Sequence, residues 1–87
     1  MIRIFTADEP GAVTMTIDGR LVSEYVQEVE ASVSRATGQG KPVRLFLRNV
    51  FDIDDIGRSL LARLARQGVE LSASGVYSAW VVANIGR

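Results

Sequence analysis

The apolar positions of the chain recur with two different periods. Ile2 and Ile4 alternate with Arg3 and Phe5, and Val13, Met15 and Ile17 alternate with Thr14 and Thr16. A period of two sends successive side chains to opposite faces, so residues 2–5 and 12–17 read as strands. Asp8-Glu9-Pro10-Gly11 between them is turn chemistry, with proline presetting φ and glycine free to take a positive φ, and it predicts a hairpin. Asp18-Gly19 then punctuates the chain. Val22, Val26, Val29, Val33 and Ala36 follow at spacings of 4, 3, 4 and 3, one stripe of a helix over 22–36. Thr37-Gly38-Gln39-Gly40 ends that helix, and Lys41-Pro42 bars its continuation.

The second half repeats the pattern. Val43, Leu45 and Leu47 alternate with Arg44, Phe46 and Arg48, which predicts a strand over 43–48. A turn-like Asp52-Ile53-Asp54-Asp55 leads into a helix over 56–67, with Ile56, Leu60, Leu61 and Leu64 on its buried side and Arg58, Ser59, Arg63 and Arg66 opposite. Gly68 stops it. Val69, Leu71 and Ala73 point inward from the next strand, and Ser74 is the expected N-cap of a last helix over 76–85. In that helix Tyr77, Val81 and Ile85 share a stripe, with Trp80 beside it.

The order ββαβαβα implies an α/β domain with a mixed, mainly parallel sheet, its crossovers helical and its first hairpin antiparallel. Strands covered on both faces read as continuous apolar runs, whereas these alternate. The helices are therefore expected mainly on one face. The other face would carry Arg3, Phe5, Thr14, Thr16, Arg44, Phe46, Arg48, Glu70 and Ser72.

Composition narrows the chemistry. Eighty-seven residues suit a single domain spanning 1–87, 47% of them apolar. With no cysteine there is no disulfide, thiolate nucleophile or sulfur-bound zinc, and with no histidine the residue best suited to acid–base work near neutrality is missing. A non-catalytic module without cofactor or metal is expected. Ten basic and ten acidic residues offer no bulk attraction to nucleic acid, and neither a secretory signal nor a spanning segment is visible, so cytoplasmic residence without membrane insertion is the expectation. The balance hides a split. Residues 1–40 hold three basic and six acidic groups, residues 41–87 seven and four.

The junction Asp52-Ile53-Asp54-Asp55-Ile56-Gly57-Arg58 is the most informative stretch. Carboxylates at a strand-to-helix boundary serve as caps, because the first N–H groups of a helix lack partners. Three aspartates could alternatively suit a hard cation, but their spacing does not match an EF-hand loop. Neither a P-loop nor a GxGxxG pattern occurs.

In context these residues resemble the STAS domain, shared by sulfate transporters and anti-sigma-factor antagonists. The resemblance rests on the strand Val43–Leu47, the Val50-Phe51 connection, and Ile53-Asp54-x-x-Gly57 opening a Leu-rich helix. Thr16-Ile17-Asp18-Gly19-Arg20-Leu21 and Gln67-Gly68-Val69-Glu70-Leu71-Ser72, followed by Ala73-Ser74-Gly75, extend it over residues 12–85. It implies a protein-interaction module in bacterial transcription regulation rather than an enzyme. In the antagonists an Asp-Ser-Ser-Gly motif opens the corresponding helix, and a kinase phosphorylates its first serine. Asp54 and Gly57 match the ends of that motif, while Asp55 stands at the phosphorylated serine and Ile56 at the second. Asp55 has no hydroxyl to phosphorylate; it either mimics the phosphorylated state or marks an unregulated branch. The implied partner is an anti-sigma kinase-like protein, met by Asp54, Asp55, Ile56, Gly57 and Arg58. Two alternatives stand beside it: a subunit regulating a lipid or anion transport complex, and a homodimer formed through the Phe5/Phe46 sheet face.

Overall fold

The structure, a computed structural model, describes residues 1–85. Its elements run β1 (Ile2–Glu9), β2 (Ala12–Leu21), α1 (Ser23–Thr37), β3 (Val43–Ile53), α2 (Asp55–Arg66), β4 (Glu70–Ala73) and α3 (Val76–Ala83). The sheet order is β1-β2-β3-β4, with β1 antiparallel to β2 and the other pairs parallel. This is the expected mixed α/β architecture.

Three strands outrun their predicted limits. β1 and β2 pair from Ile2↔Gly19 to Glu9↔Ala12, leaving Pro10-Gly11 alone as the turn. Asp8 and Glu9 are therefore strand residues, and Gly11 does not take a positive φ. Asp18-Gly19 is not a stop either. β2 continues through it because Gly19, at φ +109°, lets the Met1 carbonyl close in; a Cβ there would lie 2.4 Å from that oxygen. The same carbonyl accepts from the Arg20 N–H at 3.0 Å.

β3 runs five residues beyond Arg48, through the stretch expected to be a connection and a turn. Its pairing with β2 skips Arg48 between Leu47 and Asn49, and Phe51 between Val50 and Asp52. Each skip is a bulge that inserts one residue and shifts the alternation. Leu47, Val50 and Ile53, three apart, all reach the buried side of one strand.

One core lies on one side of the sheet. Val13, Met15, Ile17, Leu45 and Leu47 meet Val26, Val29 and Val33 of α1, Leu60, Leu61 and Leu64 of α2, and Val81 of α3. At about 25 cal/mol per Å² of apolar area, this burial compensates for the modest helix propensity of the valines in α1. The other face is uncovered. Phe5, Thr16, Phe46 and Ser72 form one cross-strand row on it, with Phe5 half exposed and Phe46 half-buried.

Two expectations at helix starts are corrected. Gly75, at φ +95°, precedes α3 in the cap position, and no side chain caps it; Ser74 instead donates its backbone N–H to the Leu47 carbonyl at 2.9 Å. Ile56 is 50% exposed rather than buried. It sits in the first turn of α2, where Gly57 instead takes the buried position against Leu21 and Ile53.

Candidate functional site

The start of α2 is held by two features, a side-chain cap and a glycine. Asp54, the N-cap, accepts from the Gly57 N–H at 2.7 Å through Oδ1. Its Oδ2 accepts from the Ser23 N–H, at the start of α1, at 2.9 Å. One carboxylate thus satisfies orphan donors of two helices whose N-termini lie together at the carboxyl end of the sheet. These N–H groups, Gly57 first and Ser23 second, hold the Asp54 carboxyl below its usual range by stabilising the charged form. Gly57 is the second feature. A Cβ on it would stand 2.2 Å from the Leu21 carbonyl oxygen and 3.2 Å from Ile53 Cγ2. Only glycine lets α2 lie this close to the end of β2.

With Asp54 and Gly57 committed inward, Asp55, Ile56 and Arg58 are the exposed residues of this turn. The Arg58 guanidinium lies 5.4 Å from the centre of the Trp80 ring, and Trp80 is 56% exposed. The turn of α2 and the outer side of α3 therefore form one surface, mixing Ile56 and Trp80 with the charges of Asp55 and Arg58. Elsewhere on α2, Arg63 reaches Glu30 of α1 at 3.2 Å, and Ser59 is exposed.

The three junction aspartates go separate ways. Asp52 binds Arg20, its cross-strand neighbour, at 2.9 Å, while Asp54 caps and Asp55 faces outward. Among the described residues no group of three acidic side chains could hold a metal ion.

The anchoring of α3 was not readable from its pattern. Buried Ser78 donates to the Val50 carbonyl at 2.7 Å. The Tyr77 hydroxyl accepts from the Ile53 N–H at 2.9 Å and lies 3.3 Å from the Ile53 carbonyl. Both bonds end on the segment of β3 after its first bulge, so extending that strand is what gives α3 its docking points. Tyr77, placed on the inward stripe by sequence, is 43% exposed because its polar tip reaches the sheet end.

The open face has its own polar order. Arg48, freed by its bulge, pairs with Asp18 through both guanidinium and carboxylate, with Nε 2.9 Å from Oδ1, and lies 5.2 Å from the Phe5 ring centre. This hydrogen bonding lowers the pKa of Asp18 and raises that of Arg48. Two shallow grooves of about 340 and 420 Å³ flank Phe51, the first edged by Met1, Arg3 and Asp18, the second by Ser74 and Gly75. Phe51 is 70% exposed, aimed outward by the second bulge. Its signal in the sequence was the three-residue spacing of Leu47, Val50 and Ile53. No helix among the described residues is long and apolar enough to cross a membrane.

No family model and no curated protein matches the chain. Among solved structures, a crystal structure of Mglu superposes with a TM-score of 0.64 and 26% identity, over 83% of this chain and 19% of that one. Mglu in its native form gives 0.53 and 28%, over 80% of this chain and 23% of the other. Mglu in its L-glutamate binding form gives 0.51 and 21%, over 87% and 27%. The chain thus spans about a fifth to a quarter of the length of the structures it resembles, and over that span it is similar to them in fold.

Proposed function

We propose that the chain is a non-catalytic protein-interaction module of STAS type, acting as an anti-sigma-factor-antagonist homologue that carries a fixed charge at the regulated position. The observation that supports this most is the junction itself. Asp54 and Gly57 are spent on positioning α2, which leaves Asp55, Ile56 and Arg58 facing outward beside Trp80. A half-exposed isoleucine and an exposed tryptophan stacked by one arginine are residue types enriched at interface anchors rather than the makings of a catalytic cleft. The absence of histidine and cysteine agrees with recognition rather than chemistry.

On this reading Asp55 supplies about one negative charge permanently, against about 1.5–2 for a phosphoserine. The test is calorimetric binding of the purified chain to anti-sigma-factor kinases of its source, alongside phosphate transfer from ATP. The parent should bind and take up no phosphate at Asp55. Trp80→Ala should weaken binding at least tenfold, and Asp55→Ser should create a phosphorylation site. If no kinase-type protein binds, or if Trp80→Ala and Asp55→Ser both behave as the parent, the proposal fails.

A further inference from the structure

β1 forms one edge of the sheet, and that edge is unlike the other. β4, at the far side, has only four residues. β1 has eight, spanning roughly 25 Å at about 3.3 Å per residue. Neither proline nor lysine stands in it, its pairing with β2 carries no bulge, and its central residues Ile4-Phe5-Thr6-Ala7 are uncharged. The usual devices that keep an edge from pairing are missing from its middle.

The direction of its free backbone groups follows from one bond. The Met1 carbonyl accepts from Arg20, and Met1 and Arg20 continue the register of the antiparallel pair. In such a pair the residues bonded to the neighbour alternate. Odd residues of β1 therefore turn their backbone toward β2, and Ile2, Ile4, Thr6 and Asp8 turn theirs outward. Those four positions are symmetric about Phe5. A second β1 laid antiparallel with Phe5 opposite Phe5 pairs Ile2 with Asp8 and Ile4 with Thr6, and satisfies all eight outward N–H and C=O groups.

Side chains favour the same register. A two-fold axis normal to the sheet keeps both open faces on one side, so the half-exposed Phe5 rings meet at the axis. Directly opposite residues in the unbonded pairs come within about 4.5 Å between Cα atoms. Arg3, which makes no ion pair among the described residues, lies diagonal to Glu9 of the other copy on the same face, within reach of a long side chain. Charge complementarity is thus built twice into one symmetric contact.

We infer that β1 is an interface with a second copy of this chain, joining two four-stranded sheets edge to edge into one of eight strands, with Phe5 on the two-fold axis. This differs from a face-to-face dimer, since the sheet face stays open and α2 stays free for a partner. It does not depend on the STAS reading.

The experiment combines sedimentation equilibrium with single-cysteine cross-linking of the full chain. The chain has no cysteine of its own, so each variant reports one position. The apparent mass should double as concentration rises. Phe5→Cys should form an intermolecular disulfide under mild oxidation, because the opposed Cα distance suits one, while Glu70→Cys on the far edge should not. Thr6→Pro removes an N–H that points away from β2, so it should leave the monomer folded by circular dichroism and abolish the dimer. Ala7→Pro removes one that points inward and should lower the melting temperature. A monomer at all concentrations overturns the inference. So does a dimer cross-linked through Phe46→Cys but not Phe5→Cys, or one that survives Thr6→Pro.

Discussion

Gly57→Ala sets two physical effects against each other, and the structure decides the sign. Alanine is the better helix former by about 0.8–1 kcal/mol, so α2 considered alone predicts stabilisation. Its Cβ, however, would lie 2.2 Å from the Leu21 carbonyl oxygen, inside the 3.0 Å that real Cβ atoms respect. The Cβ is fixed to the backbone of α2 and the oxygen belongs to the backbone of Leu21, so no rotamer can relieve the clash; α2 must move away from the end of β2, loosening the Asp54 cap and the Ile53 contact. Overpacking of this kind costs about 1–3 kcal/mol, and with no side-chain rotation to relieve it the upper part of that range applies. The net expectation is destabilisation by about 1–2 kcal/mol, a fall in melting temperature of roughly 5–15 °C for a domain of this size. Gly38→Ala is the control. Gly38 has φ −64° and its nearest neighbours to an added Cβ stand at 3.5 Å, so alanine should stabilise there by about 0.4–1 kcal/mol. Urea unfolding with an unchanged slope, run on both variants, reads the two signs. A Gly57→Ala protein as stable as the parent would refute the close approach of α2 to Leu21.

Three further outcomes follow from named contacts. The folded-state pKa of Asp54 is lowered, so its ionised form contributes stability that is complete above the unfolded carboxylate value near 3.8 and is lost as pH falls through the folded value; the advantage of the parent over Asp54→Asn should therefore vanish in acid below that window, as read by urea midpoints against pH. Ser78→Ala removes the buried bond to the Val50 carbonyl and should cost about 1–2 kcal/mol, with hydrogen exchange rising first in α3; unchanged exchange there would show that α3 is docked by its apolar contacts alone. Leu61→Ala, at a fully buried position of α2, should cost about 2–5 kcal/mol in the same unfolding assay, whereas Ser59→Ala on the exposed side should stay within about 0.5 kcal/mol.

Much of this molecule was legible before folding. The alternation of Val43, Leu45 and Leu47 and the stripe Val22-Val26-Val29-Val33 identified β3 and α1, because burial on one side leaves a period that the side chains must obey. The same alternation foretold helices on one face and an open sheet on the other. Asp54 was readable as a cap from its place before a Leu-rich helix. Its second task, holding the Ser23 N–H of α1, was not, since those residues are thirty-one apart and only the parallel crossover brings the two helix starts together.

What the tertiary structure alone decided lies at the strand ends. Asp18-Gly19 and Val50–Ile53 look like breaks because glycine and clustered aspartates favour turns locally. Cross-strand hydrogen bonds, the Arg20–Asp52 pair and two bulges instead carry both strands onward, since pairing with a neighbour outweighs local preference. That extension supplies the carbonyls on which α3 docks, and it leaves Phe51 outside. Ile56 belonged to the helical stripe by period, yet in the first turn of α2 it is Gly57 that packs against Leu21 and Ile53, which leaves Ile56 turned outward. Period told which side of each element faces inward. Where each element ends, and so which of those side chains reach the surface, was set by contacts between residues far apart in the chain.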